Sequence, residues 1–126
     1  MEKTRYFYDS YAIMAYLSDN QNYRPYFEDH AGVLTKLNLI EVSYRNIELH
    51  GEEAATQVVT LFAKYVIDFG STDIVASTKL RLKLKKTGRN ISYADALGYY
   101  LALKNKLKFL TGDKEFEGLD NVEFIK

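Results

Sequence analysis

Residues 90–113 read NISYADALGYYLALKNKLKFLTGD, and this stretch decides the fold. Ser92 and Asp95 have the spacing of a capping box, which predicts a helix that runs to about Lys106. The apolar side of this helix consists of Ala96, Leu97, Tyr100, Leu101 and Leu103. The run Leu107 to Leu110 predicts a strand, and Thr111-Gly112-Asp113 follows it directly. One acidic residue therefore lies at the start of a helix, and another follows the next strand.

The beginning of the chain has a similar order of elements. Arg5 to Tyr8 predicts a strand, Asp9 an acidic turn after it, and Ser10 to Leu17 a helix. The segment Asp19 to His30 contains the only proline and predicts a loop that leads into a short helix. Val33 to Leu37 predicts a second strand.

The middle of the chain has a mainly helical pattern. Asn38 and Glu41 form a second pair with capping-box spacing, in which Asn38 would be the cap. Lys79 to Lys85 alternates like a strand, but helical spacing of the apolar residues favours a helix there. The predicted elements are a helix from Leu39 to about His50, a helix from Glu52 to about Asp68, a strand from Asp73 to Val75, a helix from Ala76 to Thr87 and a last strand from Val122 to Ile125.

Strands that alternate with helices predict an α/β fold, a three-layer α/β/α domain with a mainly parallel central sheet. No repeat or linker divides the sequence, so residues 1–126 are predicted to form a single domain. Ligands of such sheets bind beyond the carboxyl ends of the strands, where Asp9 and Asp113 are expected. Asp95 and Glu41 lie in the first turns of two predicted helices. We expect the four carboxylates to converge on one edge of the sheet.

Such a cluster of acids predicts a metal site. Carboxylates repel one another, so a protein gathers them where cations offset their charge. Mg²⁺ or Mn²⁺ is expected, because these ions prefer oxygen ligands and Mg²⁺ keeps several of its waters. Two such ions can promote hydrolysis of a phosphodiester. Each acid also has a structural explanation, as a helix cap for Asp95 and Glu41 or as a turn residue for Asp9 and Asp113.

The composition excludes several classes of protein. Of the 126 residues, 47% are hydrophobic, which is enough for a core and excludes intrinsic disorder. The absence of cysteine excludes disulfide scaffolds, zinc–thiolate sites and thiol nucleophiles. The apolar run that contains Ile13 to Leu17 is far shorter than the roughly 20 residues of a membrane span, and we expect no signal-like leader. We therefore expect a cytoplasmic protein without a membrane segment.

Basic residues are concentrated in one part of this neutral chain. Between Lys79 and Lys108 there are nine basic residues and one acid, Asp95, although the whole sequence has 17 of each sign. This imbalance would allow the chain to present a basic face to a polyanion such as the backbone of a nucleic acid, although charge alone favours the simpler explanation that these residues are the solvated sides of two helices. The predicted RNA-binding residues are Lys83, Lys85, Lys86 and Arg89. Tyr11 and Tyr93 lie close enough to the acids in sequence to contact a base.

Two motifs of the chain resemble those of the PIN-domain nucleases, most closely the VapC-type toxin ribonucleases. The opening Tyr6-Phe7-Tyr8-Asp9-Ser10 is similar to the first strand of the family and its metal-binding aspartate. The segment from Asn90 to Leu97, the strand after it and Thr111-Gly112-Asp113-Lys114-Glu115-Phe116 follow the order of the closing half of the family.

The resemblance implies roles for individual residues. Asp9, Asp95 and Asp113 would bind the catalytic metal, and Glu41 would bind it directly or through a water. Asn38 to Val42 keeps the acid of the second family motif but lacks its threonine and its leucine after the acid. Ser10 and Thr111 would orient carboxylates or waters, and Glu115 is the candidate for a further acid.

The resemblance also implies a function, namely a metal-dependent endoribonuclease that cleaves single-stranded or loop RNA. It implies a homodimer whose activity a cognate antitoxin protein inhibits. Two alternatives stay open. One is a catalytically silent PIN-like module that binds RNA or protein, and the other is a nuclease of RNA maturation without an antitoxin.

Overall fold

Four parallel strands form the sheet at the centre of the structure, a computed structural model that describes residues 4–126. Residues 1–3 of the predicted domain lie outside the described residues. The strands and α-helices are β1 (Thr4–Tyr8), α1 (Ser10–Leu17), α2 (Arg24–Glu28), β2 (Ala31–Val33), α3 (Lys36–His50), α4 (Glu52–Phe62), α5 (Ser71–Lys86), α6 (Tyr93–Lys104), β3 (Lys108–Thr111) and β4 (Val122–Phe124).

The strand order is β2-β1-β3-β4, and each neighbouring pair is parallel. In this register Phe7 of β1 lies beside Val33 on one side and Phe109 on the other. Because parallel strands point the same way, the residues that follow β1 and β3 meet at one edge of the sheet. The predicted α/β class with a mainly parallel sheet is confirmed.

Alternate residues of the strands pack against helices on opposite faces of the sheet. Phe7 and Phe109 belong to one buried cluster, with Leu97 and Leu101 of α6. Tyr8 and Leu110 belong to a second cluster, together with Ile13 of α1 and residues of α3 and α4. This period-two alternation gives the three layers that were predicted.

The predicted strand at Asp73 to Val75 is wrong, because these residues lie in the first turn of α5. The carboxylate of Asp73 accepts the backbone N–H of Gly70 at 2.9 Å and so caps the start of the helix. It also accepts a hydrogen bond of 2.8 Å from Nζ of Lys104 on α6. The predicted helix from Ala76 is confirmed, but it begins one turn earlier at Ser71.

Two further boundaries differ from the prediction, one because of a local capping box and the other because of a contact between distant residues. The second strand covers Ala31–Val33 rather than Val33 to Leu37, since Thr35 caps α3 and forms a capping box with Asn38. Asn38 is therefore the third residue of that helix and not its cap. The predicted helix to Asp68 ends at Phe62, and Val66 pairs with Leu34 beyond the edge of the sheet.

The remaining predicted elements are present with ends shifted by at most three residues, and α1 has the predicted ends; the short helix in the Asp19 to His30 segment is also present. The longest described helix, α5, has 16 residues and carries lysines along its exposed side. Within residues 4–126, no helix combines the length and apolar character needed to cross a membrane.

Candidate metal and RNA site

Asp9 lies at the end of β1 and is 1% exposed. Its Oδ1 accepts the backbone N–H of Ala12 at 2.7 Å, so that the same side chain caps α1. The hydroxyl of Thr111, at the end of the neighbouring strand, also donates to the carboxylate. Burial, and then the charges of Asp95 and Asp113, raise the pKa of Asp9 well above its usual range.

Asp113 is held by the turn that follows β3. Its backbone N–H donates to Oγ1 of Thr111 at 3.0 Å, and its Oδ1 accepts the N–H of Glu115 at 3.0 Å, which caps a short 3₁₀-helix. Gly112 lies between them against the rings of Tyr11 and Tyr23, and any Cβ at this position would collide with both. The turn therefore places Asp113 beside Asp9 only with glycine before it.

Asp95 lies in the first turn of α6, whereas Asp9 and Asp113 follow strands. Its backbone N–H donates to Oγ of Ser92 at 3.1 Å, which confirms that Ser92 is the predicted cap. The pKa of the Asp95 carboxyl is raised to about 7 by burial and by the charges of Glu41 and Asp113. The same carboxylate thus interacts with acids from two other elements.

Glu41 is oriented by a chain of hydrogen bonds that begins at the cap of α3 and passes through the first residue of α1. Oγ of Ser10 donates to Oε1 of Glu41 at 2.5 Å, and Nδ2 of Asn38 donates to Oγ of Ser10 at 3.1 Å. Oγ1 of Thr35 donates to Oδ1 of Asn38 at 3.1 Å. Sequence reasoning missed the site role of Asn38, although its three-residue spacing from both Thr35 and Glu41 placed it on the same helical face.

The four predicted carboxylates lie close enough to influence one another. Asp9 interacts with Asp95 and Asp113, and Asp95 interacts with Glu41 and Asp113. Among residues 4–126, no three His, Cys, Asp or Glu side chains are arranged so that they could hold a metal ion between them. Carboxylate oxygens are ligands that Mg²⁺ accepts, and this ion needs only one or two of them because it keeps several of its waters.

Two other predicted residues make contacts away from this cluster. Oε1 of Glu115 accepts the backbone N–H of Asn90 at 2.6 Å. The guanidinium of Arg89 donates to the carbonyl oxygens of Glu115, at 2.6 Å, and Glu117, at 3.1 Å. Both side chains thus hold the turn before α6 against the 3₁₀-helix, and Glu115 is not among the charges that raise the pKa of Asp9 or Asp95.

Lys83, Lys85 and Lys86 are exposed at the end of α5, and a short turn joins this end to the start of α6. They therefore lie at the same end of the molecule as Asp95. Between them, the guanidinium of Arg81 lies over the ring of Tyr93 at 4.2 Å. Arg81 was not among the predicted site residues, because the charge pattern of the sequence does not show that its guanidinium contacts a tyrosine ring.

An open groove of about 860 Å³ begins at Ser10 and Glu41 and extends between α1 and α3. Its lining is mainly apolar and includes Met14, Ile40, Tyr44 and Leu49. Ile40 and Tyr44 are each 64% exposed, although large apolar side chains are usually covered. The carboxylate cluster thus adjoins an exposed apolar surface.

Solved structures with the same arrangement of elements include those of toxin–antitoxin complexes. A toxin–antitoxin complex from Klebsiella pneumoniae matches with a TM-score of 0.74, 18% identity and coverage of 95% of this chain and 96% of that chain. DNA-bound VapBC from Salmonella typhimurium matches with a TM-score of 0.75, 17% identity and 98% coverage of both chains. The chain has a PIN-like fold.

The PIN-like fold accounts for the whole chain rather than for one segment. VapBC2 from Rickettsia felis, bound to a DNA fragment from the promoter, matches with a TM-score of 0.73 and 18% identity over 97% of this chain and 98% of that chain. No protein-family model matches the sequence, and no curated protein matches it either. The similarity is therefore one of three-dimensional arrangement.

Proposed function

We propose that the chain is a Mg²⁺- or Mn²⁺-dependent endoribonuclease that cleaves single-stranded or loop RNA and acts as the toxin of a toxin–antitoxin pair. The observation that supports this is the cluster of Asp9, Glu41, Asp95 and Asp113 at the carboxyl edge of a PIN-like sheet. Mutual repulsion makes such a cluster unfavourable unless a cation offsets it. The basic end of α5 would bind the RNA backbone next to it.

Asp9, Asp95 and Asp113 would help to bind the metal, one or two of them directly and the rest through its waters, and Glu41 would bind it directly or through a water. A bound divalent ion would stabilise the charge that develops on the phosphate and increase the acidity of water. Thr111 donates to the carboxylate of Asp9, and Ser10 donates to Oε1 of Glu41. These hydroxyls orient the two carboxylates, as outer hydrogen-bond partners of metal sites do.

Hydrolysis would proceed by attack of water on phosphorus. Glu41 would accept the proton of that water at Oε2, because Oε1 already accepts the Ser10 hydroxyl. The bond between phosphorus and the 3′ oxygen breaks, and this oxygen takes a proton from solvent. The products are a 5′-phosphate and a 3′-hydroxyl.

The apolar groove would bind a segment of the antitoxin. Solved complexes of similar fold contain an antitoxin, and the groove adjoins the proposed active site at Ser10 and Glu41. A segment that covers exposed Ile40 and Tyr44 would bury apolar surface and also block access to the carboxylates. We further propose that the protein is a homodimer and acts in the cytoplasm, where RNA and antitoxin would both be present.

A second candidate function is a catalytically silent module that binds RNA or protein. The absence of a closed three-residue metal set among residues 4–126 favours it. The two candidates differ in one property, which is metal-dependent cleavage. A nuclease of RNA maturation would also cleave, but it would have no inhibitory antitoxin.

The experiment is an RNA cleavage assay with the purified chain, Mg²⁺ or Mn²⁺ and a mixture of end-labelled single-stranded and stem-loop RNAs. Asp95→Asn and Asp113→Asn should each reduce cleavage to background, whereas Asp120→Asn, an exposed aspartate after the 3₁₀-helix, should not. RNA binding without cleavage in either metal would overturn the proposed activity and support the silent module. A neighbouring reading frame whose product inhibits cleavage would support the toxin role over RNA maturation.

A further inference from the structure

We propose that Tyr93 and Arg81 form a stacking platform for one unpaired RNA base next to the carboxylate cluster. The inference rests on the proposed function, since the ligand is the RNA that this function would bind. It assigns to the pair a contact with a base, in addition to the contacts with phosphate proposed for the lysines.

The exposure of Tyr93 is the first observation. Tyr93 is 68% exposed, the highest value among the large hydrophobic side chains that are exposed in the described part of the chain. This exposure persists although the guanidinium of Arg81 covers one face of the ring, at 4.2 Å from its centre. The opposite face of the ring therefore remains accessible, and bases stack well on such faces.

The rigidity of the pair is the second observation. Nε of Arg81 donates to the carbonyl oxygen of Ile91 at 2.8 Å, and Ile91 is buried in the core. This bond fixes the plane of the guanidinium, and the guanidinium in turn restricts the ring of Tyr93. A platform that is already ordered loses little conformational entropy when a base binds.

The location of Tyr93 is the third observation. Tyr93 is the first residue of α6, and Asp95 lies in the same turn of that helix. Lys83, Lys85 and Lys86 lie in the last turn of α5, the helix that also carries Arg81. An RNA strand whose backbone contacts these lysines and whose scissile phosphate reaches Asp95 would bring a neighbouring base onto Tyr93.

Tyr65 offers a matched comparison within the same chain. It is 39% exposed, and Nζ of Lys64 lies over its ring at 5.2 Å, so it is also a tyrosine paired with a cation. It lies beyond the edge strand β2, whereas three of the four carboxylates follow β1 or β3 or lie in the first turn of α6. Tyr93 therefore differs from Tyr65 in its greater exposure and in its position in the same helical turn as one of the acids.

The test is a binding experiment with RNAs that lack one base at a time. All proteins carry Asp113→Asn to prevent cleavage, and Kd values are measured with Mg²⁺ for a fluorescent single-stranded RNA and for its single-abasic derivatives. Removing one particular base should weaken binding by about 5- to 150-fold. Tyr93→Leu should weaken binding of intact RNA by a similar factor and abolish the effect of that base.

Two variants separate stacking from other roles of the ring. Tyr93→Phe keeps the aromatic face and should bind intact RNA within about twofold of the parent, with the same abasic position sensitive. Tyr65→Leu should leave both the Kd and the sensitive position unchanged. Thermal melts of each variant show whether the fold is retained, and circular dichroism at the assay temperature confirms it.

Each outcome bears on the proposal. If RNA binds but no abasic position depends on Tyr93, the platform is overturned, while cleavage by the parent protein would leave the nuclease proposal intact. If no variant binds RNA and the parent protein does not cleave it, the proposed function is overturned and the platform with it. If Tyr65→Leu has the same effect as Tyr93→Leu, stacking is not specific to the site and the platform is also overturned.

Discussion

The hydroxyl of Ser10 donates a hydrogen bond of 2.5 Å to Oε1 of Glu41 and thereby joins the first turn of α1 to α3. Ser10 directly follows Asp9, so one dipeptide supplies both a carboxylate and the group that orients another. Asn38 donates to the same hydroxyl and restricts its direction. The position of Glu41 in the cluster therefore depends on side-chain hydrogen bonds as well as on its helix.

Ser10→Ala should slow Mg²⁺-dependent RNA cleavage by about 10- to 100-fold, since outer partners of metal sites have effects of this size. The change removes the donor to Glu41 and leaves Nδ2 of Asn38 without its acceptor. It should also lower the free energy of unfolding by about 1 kcal/mol. Single-turnover rates and thermal melts measure the two effects.

The control for this prediction is Ser10→Thr, which keeps the hydroxyl and should retain most of the cleavage rate. Equal rates for the parent and Ser10→Ala would show that the orientation of Glu41 does not matter for cleavage.

The fold was predictable where local signals and packing agree. β1, α1, α6 and β3 each combine a periodic apolar pattern with a cap or an acidic turn, and all four are present. The strand predicted at Asp73 to Val75 was wrong because the segment is only three residues long and has no periodic pattern around it. A bond from Lys104, 31 residues away, helps to hold Asp73 at the start of α5, and no local pattern contains that contact.

The candidate site divides in the same way. Asp9 and Asp113 could be placed together from the sequence, because both follow strands of a parallel sheet. The contact of Glu115 with Asn90 could not, since it depends on how the turn before α6 packs against the 3₁₀-helix. Arg89 was assigned to RNA by its charge, but its guanidinium contacts two carbonyl groups of the protein.

Asp9→Asn should abolish cleavage while it keeps the fold. Asparagine can still cap α1 through its side-chain oxygen. It also replaces a buried carboxyl group, whose pKa is raised, by an uncharged amide. Asp9→Ala loses the cap as well, and should lower the free energy of unfolding by about 1 kcal/mol relative to Asp9→Asn. Urea unfolding of the metal-free proteins tests this order, and greater stability of Asp9→Ala would contradict it.

The metal-free protein should be more stable at pH 5 than at pH 8. The pKa of Asp95 is 3.8 in the unfolded reference and about 7 in the fold, so the folded protein binds a proton that the unfolded chain releases between these values. The free energy of unfolding therefore falls as pH rises from 5 to 7, by on the order of 3 kcal/mol. Melting temperatures in a chelator, from pH 5 to pH 8, measure the decrease.

Asp95→Asn provides the comparison for this pH dependence. Its amide does not titrate, so the decrease in stability should be smaller, with a part remaining because the pKa of Asp9 is also raised. If the melting temperature of Asp95→Asn decreased with pH as steeply as that of the parent protein, ionisation of Asp95 would not be the cause of the pH dependence.

Mg²⁺ should raise the melting temperature of the parent protein more at pH 8 than at pH 5. Binding requires ionised carboxylates, and these are more fully ionised at the higher pH. At a concentration about 100 times the Kd, a ligand that binds only the folded state adds about 2.7 kcal/mol to the free energy of unfolding. Asp113→Asn should reduce the effect, and equal shifts in both proteins would contradict a role of Asp113 in metal binding.

Reversal of Lys83, Lys85 and Lys86 to glutamate should weaken RNA binding and flatten its dependence on salt. These side chains are exposed at the end of α5 next to the start of α6, where the backbone of a bound RNA would pass. Each lysine that neutralises a phosphate of a single strand contributes about 0.7 to the slope of log K against log salt, so removing three should lower the slope by about 2. The control reverses two lysines rather than three, Lys106 and Lys108, which are exposed at the amino end of β3 and so at the opposite edge of the sheet. Both sets of reversals lower the net charge, so a much larger loss of RNA binding for the α5 reversals would show that the α5 lysines bind phosphate locally. Equal losses of RNA binding would show that these lysines are only the solvated side of the helix.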